Sequence, residues 1–345
     1  MSKKNNHIVI LTPGFPESEA DTSCIPALHL YAKALLDYTG YEITVVSFHY
    51  PKKKSAYTWN GIQVYTLGSS PFISKIMLWH KAYRFLKQLN REKPITALHS
   101  FWLGECALVG HWFSVKNKTK HIVTLMGQDA LKGNKYVGIL PLKKMELITL
   151  SPFHQGVFHK NYNARTAIIP FGINPDDFSP SESKTIDIIG IGSLIPLKNY
   201  MLFIEIIAEI AKEKPIKAII IGDGVLHNEL QEKIQLLHLN DIILLKGKLS
   251  YKQTMHYLAQ SKILLHPSEF EGFGMIFAEA LQSKTMIVSK KVGSAAESPN
   301  WIIAHTKNEM AEACRKLLSG SFSEAGKNTF LLEKTVQHYQ DIYDH

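Results

Sequence analysis

Short apolar segments alternate with longer helical patterns along almost the whole chain, and this alternation limits the fold more than any other feature. The segments are almost continuously apolar, which is typical of parallel strands with both faces buried. Alternation at this spacing predicts βαβ units with right-handed crossovers. The first strands predicted in this way are HIVILT (7–12), YEITVVSFH (41–49), TALHS (96–100), HIVTLM (121–126) and ELITLS (146–151).

The alternation pauses at residues 166–184, which are rich in Pro, Asp and Ser like a linker. It then restarts with predicted strands at 185–193, 216–222, 241–247, 262–268 and 285–290. A chain of 345 residues is long enough for two domains. The predicted fold class is therefore α/β, with two doubly wound Rossmann-like domains that bind ligands at the C-terminal ends of their strands.

The composition, 45% hydrophobic and 20% charged, is that of a globular protein able to bury a large core. The first residues hold too short an apolar run for a secretory segment, and the three cysteines lack the spacing of a zinc site or disulfide framework. The expected location is a reducing cytoplasm. A net charge of +9 favours nucleic acid, an anionic membrane surface or a phosphorylated small molecule as partner, or is merely a solvated basic surface.

The stretch SEFEGFGMIFAEAL (268–281) places two carboxylates around a glycine turn that leads into a helix beginning at about Met275. Glycines at such a junction let a ligand approach the backbone, and the helix N-terminus favours an anion there. Glu271 precedes the helix and Glu279 lies on its second turn, so the two carboxylates can accept hydrogen bonds from hydroxyls on different parts of one ligand. A ligand with phosphates and many hydroxyls is a nucleotide sugar.

Three other interpretations of this stretch remain open from the spacing alone. Ser268 and Glu271 fit a helix capping box, and Glu279 fits an ordinary solvated helix position. The paired carboxylates also fit the acid and base of a glycosidase.

Two further glycine loops follow predicted strands of the second domain. IGIGSLIPLKNY (189–200) places Gly192, Ser193 and Lys198 on a strand-to-helix loop, where a lysine can neutralise a diphosphate. IIIGDG (219–224) gives a second turn suited to close approach of a base or ribose. Neither loop has the spacing of a dinucleotide fingerprint or a P-loop, which disfavours a dehydrogenase or a P-loop nucleotidase. Each loop alone also fits ordinary turn chemistry.

With these segments in order, the chain resembles the family 4 retaining glycosyltransferases, which have the GT-B fold. The resemblance covers most of the sequence, and its most specific part is the pair of glutamates separated by seven residues in PSEFEGFGMIFAEAL. The other matching segments are IIPFGINPDDF (168–178), GSLIPLKN (192–199), IIGDG (220–224) and VGSAAE (292–297). The resemblance implies an acceptor-side domain over 1–178, a nucleotide-sugar domain over 179–328 and a terminal helix over 329–345 that crosses back to the first domain.

The resemblance also implies roles for individual residues of the second domain. Lys198 would hold the donor diphosphate, Glu271 the hydroxyls of the donor sugar, and Glu279 the ribose hydroxyls. The family often has an arginine where this chain has Ser193, which puts the strength of the diphosphate clamp in question. The remaining donor-binding positions would be Gly222, Gly224 and Leu249 near the base, and Gly272, Phe273, Gly274 and Met275 at the sugar and phosphates.

In the first domain the resemblance implies that Gly14 faces the phosphates and that His99 lies at a strand end facing the cleft. A plainly packed histidine is an equal alternative for His99. In TLMGQDA (124–130), Met126 stands where many relatives have a histidine for the donor sugar, so the choice of sugar is open. Asp129 is the candidate for a polar contact at the reacting centre, and with Glu271 and His99 it completes the catalytic candidates.

The activity implied is retaining transfer of a hexose-type or N-acetylhexosaminyl sugar from a UDP-, GDP- or ADP-linked donor to a hydroxyl of a glycan or lipid-linked acceptor, in polysaccharide or glycoconjugate biosynthesis. Neither a cofactor nor a metal is expected, since the sequence holds no Asp-x-Asp. Lys198 and the helix N-terminus would stabilise the leaving diphosphate. Closure of the two domains is expected to assemble the site.

Residues 71–94 combine aromatic and aliphatic side chains with six lysines and arginines. Such a helix can lie on an anionic bilayer, which would place the protein peripherally at the inner face of a membrane. Alternatively, its apolar side covers the sheet of the first domain and its basic residues are solvated.

The sequence is also compatible with other functions. Loss of the usual arginine and histidine also fits a non-catalytic protein that binds nucleotide sugars or glycans. A sugar-nucleotide epimerase or a phosphorylase would share the fold type. A nucleic-acid binder is disfavoured because the basic residues are dispersed and no recognised motif is present.

Overall fold

The computed structural model describes residues 6–68, 74–178, 183–320 and 328–345 of the chain. Its residues form two compact units. Unit 1 comprises Met1–Gly172 and Leu332–His345, and unit 2 comprises Ile173–Leu331. The sequence had placed these divisions after residues 178 and 328.

Unit 1 contains an eight-stranded sheet. Its strands are β1 (His7–Gly14), β2 (Glu42–Tyr50), β3 (Ser55–Trp59), β4 (Ile62–Thr66), β5 (Ala97–Phe101), β6 (Lys120–Thr124), β7 (Glu146–Thr149) and β8 (Ala167–Ile168). They lie in the order β3-β4-β2-β1-β5-β6-β7-β8, and the β3–β4 pair is antiparallel whereas the other pairs are parallel. Its described residues form the helices α1 (Pro26–Thr39), α2 (Lys75–Glu92), α3 (Glu105–Asn117), α4 (Pro152–Tyr162) and α10 (Leu332–Asp344).

Unit 2 contains a six-stranded parallel sheet in the order β11-β10-β9-β12-β13-β14. Its strands are β9 (Ile186–Ile191), β10 (Ala218–Ile221), β11 (Ile243–Leu245), β12 (Ser261–His266), β13 (Met286–Ser289) and β14 (Trp301–Ile303). Its helices are α5 (Tyr200–Ala211), α6 (His227–Leu236), α7 (Tyr251–Ala259), α8 (Met275–Gln282) and α9 (Lys307–Ser319). The structure thus confirms the predicted α/β class with two parallel sheets.

The strands are apolar because both faces of each sheet are covered by helices. In unit 2, Ile188, Ile220 and Ile263 of neighbouring strands are buried in one cluster with Phe203 and Ile207 of α5. In unit 1, α2 buries Leu78, Ala82, Leu86 and Leu89, which join a core cluster with strand residues. The sheets therefore hold their strand-end loops on a rigid base.

The C-terminal helix α10 belongs to the core of unit 1. The hydroxyls of Tyr343 and Tyr31 share a hydrogen bond of 2.8 Å, and the hydroxyls of Tyr339 and Thr124 share another of 2.8 Å. Asn6 donates a third hydrogen bond to the Asp344 carboxylate over 2.8 Å. No helix within the described ranges is long and apolar enough to cross a membrane.

Candidate functional site

The loops that follow β9 and β10 touch backbone to backbone. Gly222 has φ of 152°, and a Cβ there would lie 1.8 Å from the Gly192 carbonyl oxygen. A Cβ on Gly224 would lie 2.5 Å from the Leu194 carbonyl oxygen. The Leu194 N–H donates to the Asp223 carbonyl over 2.9 Å. Glycine is therefore required at 222 and 224 for the backbones of the two loops to meet.

Lys198 ends a short 3₁₀ helix at the start of α5 and forms an ion pair with Glu271. The same Glu271 oxygen lies 2.7 Å from Nε2 of His266, the last residue of β12. Burial raises the pKa of the Glu271 carboxyl, but the His266 hydrogen bond and the Lys198 charge outweigh burial and hold that pKa at about 2. Burial also lowers the pKa of His266 despite Glu271, so a neutral imidazole donates to an ionised carboxylate at neutral pH.

The loop after β12 is anchored to its neighbours on both sides. The Glu269 N–H donates to the Leu197 carbonyl over 2.9 Å, and Asn199 Nδ2 donates to the Glu269 carboxylate over 2.8 Å. On the other side, the Ser294 N–H donates to the Phe273 carbonyl over 2.8 Å. Three successive strand-end loops are thereby fixed at one edge of the unit 2 sheet, where ligands of such sheets bind.

Helix α8 begins at Met275 as predicted, and its N-cap is Gly274 with φ of 81° and no side-chain cap. The capping box considered for Ser268 and Glu271 is therefore wrong. Ser268 donates instead to the carbonyl of Phe270 over 3.1 Å, and Glu271 pairs with a lysine. The first N–H groups of α8 lack a side-chain acceptor at the N-cap, and such a helix end favours an anion.

Glu279 lies on the inner side of α8 with 7% of its surface exposed, so the solvated alternative is also wrong. Burial raises the pKa of its carboxyl to about 7, although a hydrogen bond with the Tyr251 hydroxyl acts in the opposite direction. Tyr251 is the first residue of α7. Glu279 thus stands in a nearly dry environment, in which a carboxylate gains strongly from further hydrogen-bond donors.

The other donor-binding candidates of unit 2 lie on the same loops. Ser193 is exposed, whereas Gly272 and Phe273 are buried and Met275 is partly buried. The Gly222 N–H donates to the Gly247 carbonyl over 3.0 Å, which brings the loop containing Leu249 beside the β10 loop. The structure therefore gathers the predicted positions of this unit at the C-terminal ends of β9 to β12.

Gly14, His99 and Asp129 belong to unit 1. Gly14 ends β1, and a Cβ there would lie 3.4 Å from Tyr50. His99 corrects the expectation of a ligand-facing strand end, because it is completely buried in β5. Its Nε2 lies 2.8 Å from the Thr124 hydroxyl and its Nδ1 contacts the Tyr343 hydroxyl. Burial lowers its pKa well below the usual range, so His99 is a neutral core histidine.

Asp129 anchors the loop after β6. Its carboxylate accepts backbone N–H groups of Leu103 and Gly127, each over 2.8 Å, and of Met126 over 3.1 Å. Burial raises its pKa, although these hydrogen bonds act against that rise. Its carboxylate oxygens therefore hold the loop in place. This structural role differs from the polar contact at the reacting centre that the sequence predicted for Asp129.

Sequence reasoning missed His266, Tyr251 and Tyr200. His266 could have been found as a polar residue at the end of an apolar strand. Tyr200 is buried, its hydroxyl has no hydrogen-bond partner among the described residues, and a Cβ on Gly192 would lie 3.1 Å from that hydroxyl. No group of three or more His, Cys, Asp or Glu residues suited to a metal ion occurs in the described part of the chain.

Residues 175–324 match the family described as Glycosyl transferases group 1. This match covers most of unit 2, including the loops with Lys198, Gly222, Glu271 and Glu279.

Two curated proteins are similar over most of the chain. An uncharacterized glycosyltransferase of Methanocaldococcus jannaschii is 24% identical over 283 residues, which are 76% of this chain and 79% of that protein. The GPI3 subunit of the phosphatidylinositol N-acetylglucosaminyltransferase of Saccharomyces cerevisiae is 22% identical over 327 residues, 84% of this chain and 71% of that subunit.

Solved structures share the fold. Sucrose-phosphate synthase from Thermosynechococcus elongatus superposes with a TM-score of 0.79 at 15% identity and 98% coverage of both chains. Anabaena HepE, solved in complex with UDP and glucose, gives a TM-score of 0.75 at 17% identity and covers 98% of this chain and 99% of its own. The domain match and these likenesses together support a glycosyltransferase with the GT-B fold.

Proposed function

We propose that the protein is a family 4 retaining glycosyltransferase that moves a hexose-type sugar from a nucleotide sugar to a hydroxyl of a glycan or lipid-linked acceptor. The observation that carries this proposal is the set of loops at one edge of the unit 2 sheet. These loops hold a lysine and the uncapped N-terminus of α8. They also hold two carboxyl groups, one with a lowered pKa and one with a raised pKa. Glycines let the backbones of the loops approach one another closely. These groups match a diphosphate flanked by two sets of hydroxyls.

In this proposal Lys198 exchanges partners when the donor binds. Its charge is neutralised by Glu271 in the free protein, and the donor diphosphate is a stronger anion that can share it. Glu271 is then available to accept hydrogen bonds from hydroxyls of the sugar, and backbone N–H groups of Gly272 to Gly274 meet the sugar or phosphate. Glu279 accepts hydrogen bonds from the ribose.

The transfer itself releases a nucleoside diphosphate, whose developing charge needs stabilisation. Lys198, once shared with the diphosphate, and the N-terminus of α8 supply positive potential for this charge. We propose that these groups suffice without a metal. The glycosidase alternative is weaker, because a neutral glycoside would give the uncapped N-terminus of α8 no anion to bind.

The relatives indicate which donor should be tested first. The yeast GPI3 subunit acts in an N-acetylglucosaminyltransferase, and a further relative, from Bacillus anthracis, is an N-acetyl-alpha-D-glucosaminyl L-malate synthase (26% identical, 48% of this chain and 39% of that protein). HepE was solved with UDP. UDP-N-acetylglucosamine is therefore our first candidate donor, in a pathway of glycoconjugate synthesis.

The test is thermal unfolding with UDP, GDP and ADP in EDTA, because a ligand that binds only the folded state must raise the midpoint. We expect one nucleotide to stabilise the wild type and to lose most of this effect in Glu279→Gln. Glu232→Gln, an exposed glutamate on α6, is the matched control and should respond like the wild type. If no nucleotide raises the midpoint, or if both variants respond alike, the donor site is wrongly assigned.

Product analysis then separates the activities that share this site. Free nucleoside diphosphate together with a new glycoside of unchanged anomeric configuration is expected. An isomerised nucleotide sugar would indicate an epimerase, and a sugar phosphate would indicate a phosphorylase. Tight nucleotide binding without any turnover, over a panel of glycan and lipid acceptors, would favour the non-catalytic binding protein.

A further inference from the structure

The basic residues are spread along the chain, but its net positive charge comes from one segment of unit 1, where acidic residues are few. Residues 74–145 contain thirteen Lys and Arg and three Asp and Glu, a net charge of +10, whereas the whole chain carries +9. The rest of the molecule is thus close to neutral. Two of the three acidic residues are also engaged within the unit, since Glu105 accepts from the Trp79 indole and Asp129 from backbone N–H groups.

Helices α2 and α3 of this segment enclose an apolar groove, which we call the α2–α3 groove. It has a volume of about 700 Å³ and is lined mainly by Ile76, Trp79, Tyr83, Trp112 and Val115, with Lys116 at its end. The exposed fractions are 72% for Ile76, 43% for Trp112 and 66% for Val115. Large apolar side chains exposed together in this way indicate a surface that contacts something other than water.

A second groove runs along the other side of α2 and shares Ile76 with the first. It is lined by Met77, which is 62% exposed, and by the basic side chains of Lys54, Lys81, Arg84, Lys87 and Arg91. None of these five cations forms an ion pair with an acidic residue of the described chain. Burial and the neighbouring Lys54 both lower the pKa of Lys81, so the cluster repels itself and would gain from an anion.

The outer surface of α2 therefore presents exposed apolar residues. They lie between the apolar α2–α3 groove and a row of cations that form no ion pair with an acidic residue of the described chain. Its inner residues cover the sheet, as one of the sequence alternatives proposed, but Ile76 and Met77 lie outside that contact. Nucleic acid would engage the cations and leave the exposed apolar side chains unused. A second copy of the chain would bring two strongly positive faces together. An anionic bilayer satisfies both groups, because it offers acidic head groups beside acyl chains.

We propose that the α2–α3 groove and the adjoining cations of α2 form a docking surface for an anionic membrane. Acyl chains contact Ile76, Trp112 and Val115, and lipid phosphates meet Arg84, Lys87 and neighbouring cations. This surface belongs to unit 1, whereas the proposed donor site lies in unit 2, so the inference stands or falls independently of glycosyl transfer.

Flotation of the full-length protein with vesicles tests this surface. We expect binding to phosphatidylcholine vesicles that contain phosphatidylglycerol, weakening as salt is raised, and little binding to phosphatidylcholine alone. Each cation near such a surface is worth about fivefold in binding, so Lys87→Gln with Arg91→Gln should weaken it more than about tenfold. The matched control is Lys212→Gln with Lys217→Gln, two exposed lysines of unit 2, and should bind like the wild type.

The apolar part has its own readout. Acyl chains brominated near the head group should quench part of the tryptophan fluorescence, and Trp112→Phe should lose that part. Ile76→Ser with Val115→Ser should weaken binding several-fold, whereas Leu236→Ser, a 73% exposed leucine of α6, should not. Unchanged thermal midpoints and nucleotide responses would show that the variants are folded.

Three results would overturn the proposal. The first is absence of binding to anionic vesicles, and the second is an equal loss in the control variants. The third is binding to duplex nucleic acid that is as tight as to vesicles and insensitive to Ile76→Ser with Val115→Ser, which would assign the cations to nucleic acid instead.

Discussion

Substitution of Glu279 by glutamine should stabilise the free protein at alkaline pH while it weakens nucleotide binding. Burial raises the pKa of this carboxyl from 4.5 to about 7 in the folded state. Between these values the folded protein binds more protons than the unfolded chain, so stability falls as pH rises. Above pH 7 the carboxylate is charged in both states, and the folded state carries the full penalty of the buried charge.

The size of this penalty follows from the shift. About 2.5 pKa units at 1.36 kcal/mol each give about 3 kcal/mol at pH 8, and almost none of it remains at pH 4. Glutamine fills the same space, can accept the Tyr251 hydrogen bond and never ionises. We therefore expect Glu279→Gln to exceed the wild type by up to about 3 kcal/mol in free energy of unfolding at pH 8, and to equal it near pH 4.

The assay is denaturant unfolding of the wild type and the variant at several pH values. The free energy of unfolding is taken from the transition of unit 2. Other titrating groups cancel in the difference between the two proteins. The same residue makes nucleotide affinity depend on pH, because only the ionised carboxylate accepts from both ribose hydroxyls. Affinity of the wild type should rise through about pH 7 with release of a proton, and Glu279→Gln should lack this dependence. A stability difference that is constant across pH would refute the reasoning.

Two further predictions concern the loops. Gly222→Ala forces a Cβ against a carbonyl oxygen at a positive φ and should destabilise unit 2 by about 3 kcal/mol or more. The control is Gly138→Ala, whose added Cβ meets nothing within 4 Å and should change stability by less than about 0.5 kcal/mol. Thermal or denaturant unfolding measures both. Asp129→Ala leaves three backbone N–H groups without their acceptor and should lower the free energy of unfolding of unit 1 by about 1–3 kcal/mol. The control is Asp241→Ala, at an exposed position, which should leave the free energy of unfolding almost unchanged. Equal effects of the two substitutions would show that the Asp129 hydrogen bonds contribute nothing to stability.

The sequence predicted the two parallel sheets and the start of α8 correctly, because buried parallel strands and glycine-bounded helices leave strong local patterns. It missed the antiparallel pair β3–β4 and the edge strand β14. The hairpin had a usable signal in Asn60–Gly61, both of which have positive φ as hairpin turns require. The short edge strands lack the long apolar runs that identified the central ones.

The basic helix shows a second limit. The sequence grouped residues 71–94 as one apolar side and one basic side, but the structure begins the helix at Lys75, and Phe72 lies outside the described residues. Sheet packing buries Leu78 and Leu86 and leaves Ile76 exposed. Periodicity cannot distinguish these apolar positions, because a helix that packs between neighbours can have apolar residues on more than one side.

His99 illustrates why site residues are harder to predict than folds. A histidine at the end of an apolar strand fits a ligand site and a core position equally well in the sequence. The choice is made by α10, more than 200 residues away, whose Tyr343 hydroxyl contacts the imidazole. A contact of such long range leaves no local pattern.

Glu271 and Glu279, on either side of the N-terminus of α8, show how the surroundings of one helix end can give identical side chains opposite properties. Glu271 precedes the N-cap, where a loop brings Lys198 and His266 to it, and its pKa falls to about 2. Glu279 lies within the helix on its buried side, where burial raises its pKa to about 7. The seven residues between them comprise the end of the glycine turn and the first turn of α8, so Glu271 lies before the helix and Glu279 within it. At neutral pH the Glu271 carboxylate is charged beside a cation, whereas the Glu279 carboxyl is only partly ionised.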